Sequence, residues 1–336
     1  MAEKFTIPTE TIELPSQGKV YETTNPLSSG TVEMKYMTAR EEDILTNVNL
    51  LKQGVAIERM LQSLIKSPIK FEDLLLGDRN ALLIAARILA YGSQYSFEYT
   101  DSETETKETV TIDLQTLKNK AVDPSIYKNK NEFTFQLPHS KNTVTFKLFT
   151  VEDEKAIDAE IKSLKKVNLS AGEITTRLKR QILSVNGDYE PKTVREFVDN
   201  ALIAKDSNPL RAYIGSITPD IDLTVNFTLS SGKEVEESLP LTAEFFFPGV
   251  EYRQIYKREV FELTYHGGGG FSWSEVMDMP VNERRLNIRF INEHLEKLQE
   301  IQNERQTVTA DKPLISKPDI KSKAEPPTYV SKVKKK

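Results

Sequence analysis

The residues of this chain that could do chemistry are few and scattered. The most conspicuous is the run of four glycines at 267–270, because phosphate-binding loops use glycines to aim backbone amides at an anion. Such loops pass into a helix through a Lys-Ser/Thr pair, whereas Phe271, Ser272 and Trp273 follow here and no lysine is in place. The run reads as a left-handed or flexible joint that lets its flanking helices fold back, with Phe271 and Trp273 packing across it. The histidines are His139, His266 and His294. None has a second histidine one helical turn away, so they read as solvated or capping groups rather than ligands or bases. The chain has no cysteine, which excludes disulfides, thiolate zinc sites and cysteine nucleophiles. No Gly-x-Ser-x-Gly elbow supports a serine hydrolase. Paired carboxylates at Glu41-Glu42 and within the stretches Glu103 to Glu108 and Glu234 to Glu237 are of the type glycosidases use. They fall at a helix start and in hairpin turns, where a solvated face accounts for them. Asp78-Arg79-Asn80 and Asp206-Ser207-Asn208 read as capping or turn chemistry. Arg284 and Arg285 read as a solvent- or partner-facing edge, with too few interleaved aromatics for a nucleic-acid groove. No catalytic, cofactor-binding or metal constellation forms, and the chain reads as non-enzymatic.

The elements around these residues repeat. MKYMTAREEDI (34–44) returns as FKLFTVEDEKAI (146–157). Each is a short alternating strand running into a threonine and an acidic helix start. Thr38 with Glu41, and Thr150 with Asp153, have capping-box spacing, Asp being the weaker partner. An apolar-Leu-Pro element precedes each copy (Leu14-Pro15 and Leu137-Pro138). A second helix, an Asp-x-Asn element and a hairpin follow each in the same order. This order predicts an α+β chain of two divergent copies of a helix-plus-antiparallel-hairpin module, then a helical piece and a tail. The expected divisions are an extended arm at 1–30, a first module at 31–117, a linker at 118–131 and a second module at 132–247. A helical aromatic/Gly module at 248–306 and a disordered basic tail at 307–336 complete the chain. The helix at 81–90 is apolar on more than one face and is expected at the centre, stopping at Gly92. Its counterpart carries Pro209 and Gly215 and is expected to be shorter or bent. In the last module Tyr252, Ile255, Tyr256, Val260 and Leu263 share one predicted helical face. Leu286, Phe290, Ile291, Leu295, Leu298 and Ile301 line another.

Composition sets the outer limits. Hydrophobic residues make up 38% and charged residues 28% of 336, enough for real cores under a well-solvated surface. With 45 basic against 50 acidic residues the net charge is −5, so no concentrated positive face argues for nucleic acid or an anionic membrane. No run approaches the ~18 apolar residues of a membrane span, and the first residues lack a signal-peptide core. The chain reads as soluble and cytoplasmically made.

The segments LPSQGKVY, GTVEMKYMTAREEDILTN and LLLGDRNALLIAARILAYG together resemble the baseplate hub and hub-assembly proteins of T4-like contractile-tailed bacteriophages. The resemblance is strongest over residues 10–120 and weaker over the second module. FELTYHGGGGFSWSEVMDMPVNERR resembles a short aromatic-glycine-proline module of the same group of tail-assembly proteins, with Tyr265, His266, Trp273, Met279 and Pro280 at its motif positions. This chain departs from the pattern in carrying both pieces, with a long basic tail.

The resemblance implies a non-enzymatic structural or assembly component of the baseplate hub, located in the virion tail and assembled in the host cytoplasm. Its expected partners are other hub and tail proteins in a symmetric or quasi-symmetric assembly, without cofactor or nucleic acid. The candidate partner-binding residues are Tyr265, His266, Phe271, Trp273, Met279, Arg284 and Arg285. The alternative is a transient assembly chaperone absent from the mature particle. A tail-associated cell-wall hydrolase is a third reading, which would turn over peptidoglycan and lose that turnover with one carboxylate.

Overall fold

The computed structural model describes residues 7–101, 103–166, 172–246 and 252–310. In the first copy β1 (Thr9–Glu13) pairs antiparallel with β2 (Thr31–Lys35), Ile12 opposite Val32. The loop joining them closes on itself. Gly18 and Gly30 have φ of +75°, and a Cβ on Gly18 would lie 2.4 Å from the Ser28 carbonyl oxygen, so only glycine fits. From β2 the chain enters α1 (Ala39–Leu45), α2 (Val48–Gln53), α3 (Ala56–Leu64) and α4 (Leu76–Tyr91). It ends this copy in the hairpin β3 (Gln94–Thr100) and β4 (Lys107–Asp113).

The second copy repeats the plan with β5 (Phe133–Gln136), β6 (Thr143–Phe146), α5 (Val151–Lys166), α6 (Glu173–Gln181), β7 (Ile182–Val185), α7 (Pro191–Asn200) and α8 (Ala204–Ile217). The hairpin β8 (Thr224–Thr228) and β9 (Glu234–Ser238) closes it. After α9 (Ala243–Phe246) come α10 (Tyr252–His266), α11 (Trp273–Asp278) and α12 (Val281–Ala310). All strand pairing is antiparallel and the sheets are small, the α+β organisation expected from the alternating patterns.

The two copies share a central contact. Met34 bridges Ile65 just after α3, and its counterpart Phe146 pairs with Ile182 just after α6. Beside this pair Lys66 N–H donates to Glu33 O in the first copy and Lys147 N–H to Gln181 O in the second, on opposite sides of it. In the second copy this contact grows into strand β7. In the first it stops, because Pro68 follows and has no N–H for a ladder. The linker region does not run free. Lys120 N–H donates to Asp220 O and Asp222 N–H to Lys118 O, and the Tyr127 hydroxyl donates to Ile217 O at 2.5 Å. The two hairpins meet through Phe97 and Tyr99 against Phe227, ring centres 5.8 and 5.2 Å apart.

Helix α4 is central, burying Ala81, Leu82, Leu83, Ile84, Ala86 and Ala90, and stops at Gly92 with φ of +86°. Helix α8 has 14 residues against 16 in α4 and keeps Pro209 inside it. A feature with no sequence signal is Gly77, in the first turn of α4. A Cβ there would sit 1.9 Å from Pro219 O, so the close approach of the second copy depends on its being glycine.

By contacts the chain forms one compact unit through Ile288 and another from Arg289. Of the face expected on α10, Tyr256, Val260 and Leu263 are fully buried but Ile255 is half exposed, because it lies at the edge of the stripe. Helix α12 continues to Ala310, into the stretch expected to be disordered; the rest of that stretch lies outside the described residues. No helix among the described residues is long and apolar enough to cross a membrane.

Candidate functional site

The repeated strand-to-helix passage is a buried polar corner. In the first copy Thr38 is the N-cap of α1, and its backbone N–H donates to Glu41 at 2.9 Å. The Thr38 hydroxyl donates to the same carboxylate at 2.6 Å, while Lys35 donates to its other oxygen at 2.8 Å. Ser63, next to last in α3, adds a bond at 3.2 Å. The second copy reproduces the set with Thr150, Asp153 and Lys147, the lysine bond being 2.7 Å. Arg180, next to last in α6, stands where Ser63 does and donates to Asp153 at 3.0 Å. The pattern Lys-x-x-Thr-x-x-acid thus puts a cation, a cap and a buried carboxylate in one place. Burial would push the Asp153 carboxyl up, but Lys147, Thr150 and Arg180 outweigh it and hold the group below the usual carboxylate range.

Each corner is occupied by the start of another helix. At the second corner Leu76 N–H donates to Phe149 O, Val151 N–H donates to Leu74 O, and Leu75 bridges Thr150. This seats the entry to α4 on the second copy. At the first corner Val281 N–H donates to Met37 O at 2.9 Å and Pro280 bridges Thr38, seating the entry to α12 in the same way. Side chains then fasten α10–α12 to α1. Arg284 is fully buried and donates to Glu42 at 2.5 Å and to Glu259 at 3.0 Å. Tyr91 also donates to Glu42, at 3.1 Å. Asp43 accepts from Tyr256 and Lys257, and Arg40 pairs with Asp278. Burial raises the Glu42 carboxyl against the pull of Arg284 and Tyr91.

A second tie joins the Leu-Pro and Asp-x-Asn elements, which the sequence presents as separate repeats. Asp78, third residue of α4, accepts from Ser16 N–H at 3.0 Å, Ser16 Oγ at 2.7 Å and Tyr21 Oη at 2.5 Å. Asp206, third residue of α8, accepts from His139 N–H at 2.7 Å and Ser140 N–H at 3.0 Å. Ser16 and His139 each follow a Leu-Pro pair. These aspartates latch a distant turn onto their helix rather than serving only as local caps. Their environments differ. Burial raises Asp78 despite its hydroxyl and amide donors. Burial also pushes Asp206 up, but the two amides prevail and hold it below its ordinary value.

The candidate partner residues lie around the α10–α11 joint. Tyr265 is 69% and Trp273 46% exposed, and His266 is exposed with its ring edge-on to Tyr265. Phe271, Met279 and Arg285 are half-buried. Phe271 packs on the glycine joint, where a Cβ on Gly267 would lie 2.8 Å from its ring. Gly268 and Gly269 are left-handed. Arg285 reaches Glu259 and lies over the Tyr91 ring. Arg284 departs from the solvent-facing edge expected of it: it is buried, with Nε and Nη2 bonded to Glu259 and Glu42. A lone arginine beside a second one gave no sign of this, because Glu42 lies 242 residues away.

Among the described residues no three His, Asp or Glu side chains gather as metal ligands would. The class this geometry defines is a duplicated α+β module whose buried polar groups tie one segment of chain to another. Residues 7–247 match the family described as T4 bacteriophage base plate protein, and the chain belongs to that family. The match takes in both copies and ends before α10, so the segment of residues 261–285 that resembled a tail-assembly module lies beyond it. No curated protein and no solved structure matches the chain.

Proposed function

We propose that this baseplate-family chain is a non-enzymatic structural or assembly component of the hub of a contractile tail, acting through protein contacts. Its family membership over both copies carries the reading. The corners support it, since their polar groups are spent on joining segments. We further assign partner contact to the exposed cluster Phe261, Tyr265, His266 and Trp273, in which Phe261 and Tyr265 stack at 5.4 Å. Aromatic groups held out in this way are the usual anchors of protein interfaces. Assembly in the host cytoplasm and residence in the virion tail go with this role.

Quantitative mass spectrometry of purified particles beside tail-assembly intermediates tests the proposal. A fixed few copies in the finished particle are expected. Presence in intermediates alone would make the chain a transient assembly factor, and absence from both would overturn the hub reading. Trp273→Ala is expected to weaken incorporation while leaving thermal stability nearly unchanged, because the ring is half exposed.

A further inference from the structure

The two occupied corners use helix entries of one kind, and the chain holds a third that is unused. The entry to α4 (Leu74, Leu75, Leu76) seats on the second corner, and the entry to α12 (Met279, Pro280, Val281) on the first. The equivalent entry to α8 is Leu202, Ile203 and Ala204, fixed by the alignment of Asp78 with Asp206. Its backbone has the right shape. Ile203 has φ −81° and ψ 158°, against −62° and 149° at Leu75. Its surroundings differ. Leu75 is 2% exposed while Ile203 is 42% exposed, and Ala204 N–H has no partner among the described residues. Beside it is an open depression of about 530 Å³ lined by Pro138, His139, Ala204, Lys205, Asn208 and Pro209. At the matching place in the first copy, Pro219 and Asp220 press on Gly77, and Asn80 donates to Asp220 at 3.2 Å.

The geometry points to a head-to-tail contact between two copies of this chain, in which residues 202–204 of one seat on the Thr38 corner of the next. That contact would repeat, between molecules, what residues 74–76 and the Thr150 corner already do within one. The entry to α12 then acts as an internal plug on the Thr38 corner, fastened by Arg284, Arg40 and Val281, and must lift before the contact forms. A free chain keeps its plug and stays single; a chain whose plug is drawn off can join a neighbour. Because the two surfaces differ, the contact is heterologous and propagates into a ring or a filament. It depends on geometry inside one chain, so it stands or falls separately from the placement in a baseplate.

The test is sedimentation velocity of the full chain. Arg284→Ala removes the main fastening. Val281→Pro with Arg40→Ala is the gentler opening, since proline suits the first residue of a helix and deletes only the N–H given to Met37. The wild type is expected to be monomeric and the opened chains to self-associate with rising concentration. Adding Ile203→Asp is expected to weaken that association at least about tenfold, as loss of a central apolar anchor does. Tyr189→Asp, on a distant exposed side chain, is expected to leave it unchanged. If the Arg284→Ala chain loses its near-ultraviolet circular dichroism, the gentler variant decides. Opened, folded chains that stay monomeric at every concentration would overturn the proposal, and so would association indifferent to Ile203→Asp.

Discussion

Helices α1 and α5 occupy the same place in the two copies and have come to hold different neighbours. In α5 the corner acid Asp153 is satisfied within its own copy, Glu154 pairs with Arg177 of α6 at 2.6 Å, and Glu152 faces solvent. Lys155 reaches across to Glu58 and Glu72 of the first copy, at 3.0 and 3.3 Å. In α1 the corner acid Glu41 is also satisfied at home, but Arg40, Glu42 and Asp43 all turn to the C-terminal helices. The shared part is the corner, which makes the fold. The charges around it are free to change, and they record which segment each copy has to hold.

That contrast can be broken most forcefully at Arg284. Arg284→Ala leaves Glu42 buried without its cation and is expected to cost about 3–5 kcal/mol. The matching loss in the second copy, Arg177→Ala, removes a part-exposed pair and is expected to cost about 1 kcal/mol or less. Urea denaturation of both variants measures the ratio; equal costs would mean that α1 and α5 are held alike.

A smaller difference is expected where the copies touch. Gly77→Ala drives a Cβ into Pro219 O and is expected to destabilise by about 1–3 kcal/mol. Lys205→Ala, at the equivalent position of α8, is expected to stay within about 0.5 kcal/mol. Thermal melts of the two single variants make this comparison. Smaller still is the difference between caps. Thr38→Ala and Thr150→Ala each lose a cap worth about 0.5–2 kcal/mol. The shorter bonds at Thr38 predict the larger loss there, readable as a shift in denaturation midpoint.

The latch aspartates sharpen the comparison through pH. Asp206 has a lowered folded value, so its contribution is present above the unfolded carboxylate value and is lost as pH falls through the folded one. Asp78 has a raised folded value, so its contribution is complete below the unfolded value and fades as pH rises through the folded one. Measured from neutral to acid pH, Asp206→Asn is expected to flatten the acid loss of stability. Asp78→Asn is expected to steepen it, by removing a group whose protonation the fold favours. Changes in slope of the same sign for both variants, each measured against the wild type, would contradict the assignment.

Much of this was legible in the amino-acid order because it is local. The capping spacing of Thr38 with Glu41 and Thr150 with Asp153 is complete within one turn, and both corners form where that spacing falls. The glycine joint at 267–270 is likewise a short-range signal, and Gly268 and Gly269 take the left-handed backbone it implies. What was not legible joins residues far apart. Asp78 and Asp206 showed only as local Asp-x-Asn elements, whereas their partners lie 62 and 67 residues away. Gly77 reads as an ordinary helix-start glycine until Pro219 is seen against it. Arg284 reads as a surface arginine because an amphipathic pattern cannot show which charged residue meets a buried acid. The seating of one helix entry on another copy's threonine had no sequence signal, since it is made by backbone groups that every residue carries.

The most direct test of the paired corners is amide hydrogen exchange on the intact wild-type chain, resolved at Leu76, Val151 and Val281. The account predicts strong protection of all three, with Val281 opening together with α10 and α11 when Arg284 is replaced and Leu76 and Val151 unaffected. Exchange of Val281 at the rate of a free peptide in the wild type would show that α12 does not occupy the Thr38 corner. The likeness between the two corners would then fail.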